Sequence, residues 1–291
     1  MLLEGIETLL VLSKEKTMSR TGSQLYISQS AVSKRIANLE KKLGKKLIEP
    51  NGRHIKLTSD ALALINTIEP TFNELRGQIY DQQELEDTSL IKMDCSETLV
   101  AGYLSMIMEE QLARDPYLRI STNHTPRIVE NVKSGRATLG FCAGYLPSHH
   151  GLMSIHLADE PFSIISKHPL TQLPKAILTN DLNNPANTYQ QAILSKYEIQ
   201  PLMEMDSYTA AAQLALKGMA PALIPKSIIK TLNIASNFCF EFEELEPLIR
   251  PIHICLRHNT YRNQRIKTVL EVIADVVVKE VCCHQHRHGN N

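Results

Sequence analysis

The stretch SQSAVSKRIANLEKKLG, residues 28–44, constrains the fold more tightly than any other part of the chain. Val32, Ile36, Leu39 and Leu43 are spaced four, three and four residues apart, the period of one face of an α-helix. Ser28 stands where a hydroxyl can accept from the free amides of a first turn. Ile27 and Val32 occupy the two positions of a hydrophobic staple, and Gly44 follows as a C-terminal stop. The spacing predicts a helix from Gln29 to about Leu43 with a single apolar stripe. The opposite face carries Ser30, Ser33, Lys34, Ala37 and Lys41, with Gln29 at the tip. Short polar groups at the N-terminal end suit base edges, and the flanking cations suit phosphates.

A helix with one apolar face needs partners. Leu3, Ile6, Leu9 and Leu10 predict a first helix ending near Lys14, and a short helical segment from about Ser19 to Leu25 leads to a turn at Tyr26-Ile27. After Gly44, Leu47-Ile48, an Asn51-Gly52 turn and Ile55-Lys56-Leu57 predict a small hairpin with Arg53 and His54 at its tip. Lys plus Arg and Asp plus Glu both total 31 in the whole chain, yet residues 1–60 hold 11 basic and 6 acidic side chains. A basic run on a helix is commonly no more than a solvated face. Here it coincides with the order short helix, turn, capped helix, hairpin, and the contact expected is with double-stranded DNA. The residues expected to make it are Ser28, Gln29, Ser30, Ser33, Lys34, Arg35, Lys41, Arg53, His54 and Lys56.

Ser28-Gln29-Ser30-Ala31-Val32-Ser33, then Ile36, Leu39-Glu40, Leu43-Gly44, Leu47 and Leu57-Thr58, resembles the N-terminal signature of LysR-type transcriptional regulators. The resemblance fixes many positions over about thirty residues and implies a winged helix-turn-helix, a linker helix and a two-lobed effector-binding domain over nearly the whole chain. Two departures stand out. Thr21-Gly22 replaces the paired alanines usual in the family, which weakens that helix while keeping a close helix contact possible. Leu47, Ile48, Glu49 and Pro50 stand where the family usually reads Leu-Phe-x-Arg, so the wing lacks its arginine at position 50 and Arg53 is expected to replace it.

From Thr58, apolar residues recur at Ala61, Ile65, Ile68, Phe72, Leu75 and Ile79, the alternating spacing of a coiled-coil seam. A helix packed on its own domain could show the same stripe. Residues 61–89, however, hold one basic and six acidic side chains, so one narrow stripe is left to face another helix. Ile65, Ile68, Phe72, Leu75 and Ile79 are therefore expected to pair two chains, placing two recognition helices on one duplex. Pro70 removes a backbone donor within this run.

Beyond residue 90, strands predicted at Leu90–Cys95, Leu118–Thr122 and Thr138–Ala143 alternate with helices, the first of these running through Met108. The alternation resumes after residue 160 and closes with a helix from about Tyr261 to Lys279. It argues for parallel strands with ligands at their carboxyl ends. The segment 218–225 resembles the family's Gly-x-Gly-x-x-x-Leu-Pro, with Ala220 in place of the second glycine.

The fold expected is thus mixed: a largely helical winged domain over 1–60, a linker (dimerisation) helix over 61–89, and an α/β two-lobed, periplasmic-binding-protein-like effector domain over 90–291. Its first lobe would take about 90–160 and 257–281, its second about 161–256, with a disordered tail at 282–291. The lobes would enclose a cleft, and Ser96, Thr98, His124, Thr125 and Cys142 are the expected effector-binding residues. Thr98 and Thr125 serve equally well as plain N-caps. The ligand expected is a small molecule, a carboxylate or other anion, which is a generic preference of helix N-termini. Cys95 and Cys142, on strands that neighbour one another in a flavodoxin-like order, could lie beside the same cleft, or else be small buried residues as free cysteines usually are.

The chain is then expected to be a regulator and not an enzyme: no nucleophile elbow, Walker loop or His-Glu-x-x-His motif is present. Two other functions compete, a DNA binder with an assembly-only body and an enzyme built on the lobes. The resemblance implies a homodimer or homotetramer, with RNA polymerase as a further partner. No cofactor is expected. Cys282, Cys283 and His284 in the tail lack a scaffold, so no metal is expected either. Six scattered cysteines, an acidic N-terminus and the want of an apolar run long enough for a membrane span fit a cytoplasmic location.

Overall fold

The structure, a computed structural model, describes residues 2–51, 54–83 and 88–285. It divides into two compact units, Met1–Leu75 and Arg76–Asn291.

In the first unit, α1 (Leu2–Glu15), α2 (Met18–Gln24) and α3 (Gln29–Leu43) precede a hairpin of β1 (Ile48–Asn51) and β2 (His54–Leu57), and α4 (Ser59–Gln83) begins directly after it. The caps of α3 form as its sequence predicts. The Ser28 hydroxyl accepts from the Ala31 amide at 3.2 Å, and Gly44 takes the left-handed conformation at φ +65°. Gly22 is required by the close approach of the turn: a Cβ there would lie 2.6 Å from the Ile27 carbonyl oxygen. The hairpin pairs Ile48 with Leu57 and Glu49 with Lys56. Leu9, Leu12, Ile36, Leu39 and Leu47 are buried together.

Ala61, Ile65 and Phe72 of α4 belong to that same core, with Ile68 packed against it. This corrects the expectation for the α4 stripe, because Ile65 and Phe72 are already enclosed by their own domain. Leu75 and Ile79 are 40% and 44% exposed. They are the exposed positions of the stripe.

Glu40 joins α3 to the hairpin that follows it. Its carboxylate accepts from the amides of Leu47 at 2.8 Å and Ile48 at 3.3 Å, and from the Lys46 ammonium at 3.0 Å. Burial works to raise its pKa, but these donors outweigh burial and hold it below the ordinary carboxylate value. Glu40→Ala leaves two amides without a partner, one of them buried, and is expected to cost about 2–4 kcal/mol. Because the folded pKa is the lower one, this stabilisation is present above the unfolded carboxylate's pKa and is lost as pH falls through the folded value. Urea unfolding of both proteins checks this: the difference should be full at neutral pH and shrink on acidification.

The second unit holds one mixed sheet. Its first half contains β3 (Ile91–Cys95), α5 (Glu97–Gly102), α6 (Met108–Arg114), β4 (Leu118–Thr122), α7 (Thr125–Lys133) and β5 (Leu139–Ala143). Its second half contains β7 (Ala176–Asn180), α8 (Thr188–Lys196), β8 (Gln200–Met205), α9 (Tyr208–Lys217), β9 (Ala222–Pro225) and α10 (Lys226–Thr231). Two long strands, β6 (Met153–Ile165) and β11 (Ile249–Leu256), join the halves, the short strand β10 (Cys239–Phe240) adds to β6, and α11 (Gln264–Gln285) ends the described chain. The strand order is β4-β3-β5-β11-β6-β9-β7-β8.

The sheet is parallel within each half, but β6 and β11 run antiparallel to each other and to their neighbours β9 and β5. Residues 252–256, expected at the end of the second lobe, pair with β5 of the first. Apolar side chains of α11, among them Ile266, Leu270 and Ile273, close the first-half core. The helix expected through Met108 is interrupted at Tyr103, after Gly102 packs against Ser227 so closely that a Cβ would meet that side chain at 2.7 Å.

Candidate functional site

Two surfaces carry polar groups that the packing of their own unit does not consume. The first is the outer face of α3. Gln29, Ser30, Ser33, Lys34 and Lys41 are exposed there, as is Lys56 on β2 opposite Glu49. Ser28 is committed to its cap and lies 2.9 Å from the Ser30 hydroxyl. Arg35 is half-buried. His54 opens β2, while Arg53 lies outside the described residues. Lys45 and Lys46 are held by Asp60 and Glu40, so they belong to the fold as much as to the surface. Tyr26, in the turn expected just before this helix, stands 96% exposed.

The second surface is a cleft of about 340 Å³ between the halves of the second unit. Ser96, Thr98, Asn123, His124 and Thr125 line it from one side, Asn180, Asn184, Asn187, Asp206 and Tyr208 from the other, with Arg250 of β11 between them. The hydroxyls there differ in what they can still offer. Thr125 Oγ1 donates to the Ala143 carbonyl at 2.8 Å, so in its 3.4 Å contact with Ser96 the serine must be the donor. Ser96 Oγ in turn accepts from the Ala143 amide at 3.2 Å. Both protons are spent inside the protein, and these residues can present lone pairs alone. Thr98 Oγ1 accepts from Arg250 Nη1 at 3.0 Å. A guanidinium has no acceptor, and no other partner of this hydroxyl is found among the described residues, so Thr98 keeps its proton for the cleft.

Arg250 is anchored from behind. Nε donates to Glu160 at 2.8 Å, and Nη2 donates to the same carboxylate and to the Ser227 hydroxyl at 3.4 Å. Glu160 also accepts from the Ser227 amide at 2.7 Å. Both charged side chains are almost wholly buried. Burial alone would lower the Arg250 pKa, but the Glu160 carboxylate beside it carries the balance the other way, and the guanidinium stays charged. The Tyr208 ring packs 5.5 Å from the guanidinium carbon, and burial pushes its phenol up. At the mouth, His124 faces Asp206 across 4.0 Å.

Cys142 does not line the cleft. The β3–β5 register pairs Cys95 with Phe141, so Cys95 shares the face of Phe141, and Cys142, one residue on, projects from the other. β3 and β5 are neighbours, as the expected order requires, but the pleat separates the two thiols. Cys142 packs with Ile128, Val129 and Val132, its sulfur 3.8 Å from that of Cys255. That hydrogen bond and burial hold its thiol well above the ordinary pKa, and burial does the same to Cys95. Neither presents the exposed thiolate that reactivity requires. Among the described residues, no three His, Cys, Asp or Glu side chains are grouped to hold a metal, and no helix is long and apolar enough to cross a membrane.

Residues 3–62 match the family model of the bacterial regulatory helix-turn-helix proteins of the LysR family, and residues 86–277 match that of the LysR substrate binding domain. An uncharacterized HTH-type transcriptional regulator of Vibrio cholerae is 68% identical over 281 residues, covering 97% of this chain and 98% of that protein. Among solved structures, a full-length OxyR variant from Pseudomonas aeruginosa is similar with a TM-score of 0.65 at 18% identity, over 95% of this chain and 94% of that one. An OxyR mutant of Corynebacterium glutamicum gives a TM-score of 0.64 at 20% identity, over 99% and 96%. At such identities the structures establish the fold, while the two family models and the close relative establish kinship. The capped helix and wing, the cleft of the second unit and these matches agree: the chain belongs to the LysR family of DNA-binding, effector-responsive transcriptional regulators, and not to a family of enzymes.

Proposed function

We propose that the outer face of α3 reads duplex DNA through Gln29, Ser30 and Ser33, with Lys34, Lys41 and Lys56 on phosphates, and that the cleft binds a small oxygen-bearing anion, a carboxylate above all. The observation that carries the ligand class is the unspent Thr98 proton, backed by a buried guanidinium whose charge Glu160 already balances. A group so placed strengthens the hydrogen bond of a carboxylate without demanding a second full charge from the ligand. The working form is a homo-oligomer, a dimer through the exposed end of α4 and, following the family, a tetramer, acting in the cytoplasm at promoters where RNA polymerase is a further partner. Ligand alters operator engagement to the extent that it binds two arrangements of the oligomer unequally.

A thermal-shift screen of small carboxylates, followed by DNA titration with and without any hit, tests the proposal. Thr98→Val should weaken that hit about tenfold or more, the loss of one hydrogen bond to a charged group, and abolish its effect on DNA. Thr125→Val should instead lower the melting temperature, since its proton serves the Ala143 carbonyl. Unchanged affinity and response in Thr98→Val would remove Thr98 from the site.

A further inference from the structure

The last turn of α2 is closed by amides that reach back over it: Tyr26 N donates to the Ser23 carbonyl at 3.4 Å and Ile27 N to the Gly22 carbonyl at 2.9 Å. This pair of bonds places Tyr26 at the left-handed position just past a helix end, with φ +55°. Glycine is favoured there because a Cβ crowds the backbone, and asparagine is the usual second choice. Lys16, His149, Glu198 and Asn233 also have positive φ, but they carry side chains that water satisfies. A tyrosine at such a position would ordinarily be justified by burial of its ring. Here the residue is 96% exposed, against 54% for the next large hydrophobic residue, Leu3. The fold bears the backbone strain and gains no packing from the side chain.

Position supplies the missing reason. Two residues after Tyr26 comes the N-cap Ser28, followed by the exposed Gln29 and Ser30 at the tip of α3. When the N-terminal end of a recognition helix lies in a major groove, a residue just before it stands over the backbone that borders the groove. Tyrosine hydroxyls are among the regular donors to phosphate oxygens, and such contacts fix register without reading sequence. We infer that Tyr26 is a phosphate anchor for duplex DNA, its phenolic O–H donating to a backbone oxygen beside the tip of α3. The inference rests on the reading of α3 as the DNA-binding helix.

Anisotropy titration of a fluorescein-labelled, mixed-sequence duplex with the intact protein at low salt tests it, because a phosphate contact does not depend on the operator sequence. Tyr26→Asn should melt at the same or a higher temperature than the parent, since asparagine suits the left-handed backbone better, yet bind about tenfold more weakly, as the loss of a hydrogen bond to a charged group requires. Tyr26→Phe keeps the ring and should lose as much. The salt dependence of binding should keep its slope in both variants, because a neutral phenol releases no counterion. A folded Tyr26→Asn protein with parental affinity, or full affinity in Tyr26→Phe, would overturn the anchor while leaving α3 as the DNA-binding helix. A parent protein that fails to bind the duplex would overturn both together.

Discussion

Replacing Arg250 by methionine is expected to destabilise the second unit by about 3–5 kcal/mol, because it strands the Glu160 carboxylate in a site where its charged partner is gone. Glu160 is 1% exposed and cannot turn to water without opening the junction of β6 and β11. Methionine approximates the volume of the arginine stem, so the loss would reflect charge more than cavity. The double variant Arg250→Met/Glu160→Gln should recover most of that loss, since no buried charge remains and the amide oxygen can still accept from the Ser227 amide. Urea denaturation of the four proteins of this cycle reads the coupling directly. Additive losses, or a single variant costing less than about 1 kcal/mol, would mean that the pair is not sealed from water as its burial states. The double variant also separates stability from function: refolded but without the guanidinium behind Thr98, it should lose ligand response.

This pair illustrates what sequence conveys and what it withholds. Local physics is legible: the caps at Ser28 and Gly44, the stripe of Val32, Ile36 and Leu39, and the alternation that builds the two halves all depend on residues within a turn or two of each other. The strand-to-helix loops were legible too, since Ser96, Thr98, His124 and Thr125 all line the cleft. What separates Thr98 from Thr125 was not, because it depends on the direction of a proton, set by partners far away in sequence. Thr98 takes its hydrogen bond from Arg250, 152 residues on, while Thr125 gives its own to Ala143.

Glu160 and Arg250 left only a faint sign, an acidic pair, Asp159-Glu160, in one crossing strand and a single arginine in the other. Cys142 was misplaced by one step of the pleat, which strand order alone cannot fix. The asparagines of the second half sit at strand ends and in loops, where no periodicity marks them. At Tyr26 the sequence announced a turn, but exposure and backbone sign had to come from the structure.

The α4 stripe leaves a different ambiguity, since its first part is enclosed by the core of the first unit while Leu75 and Ile79 stay exposed, and it yields the second large effect. Leu75→Asp combined with Ile79→Asp is expected to convert a dimer into monomers and to weaken operator binding by about 10²–10⁴-fold, the advantage lost when a second DNA-binding module is no longer tethered to the first. Both residues are exposed within the chain, so each aspartate is harmless to the isolated fold and costly only where a second helix would have to bury it. Phe72→Asp is the contrasting variant. Phe72 is 9% exposed in the core it shares with Leu9 and Leu47, so a charge there should lower the unfolding temperature of the first unit. Sedimentation at micromolar concentration, thermal unfolding and DNA titration of the three proteins separate the two roles. The expected pattern is monomeric but stable for Leu75→Asp/Ile79→Asp, and unstable for Phe72→Asp. A parent protein that sediments as a monomer, or a double variant that remains dimeric, would place the subunit contact on some other surface.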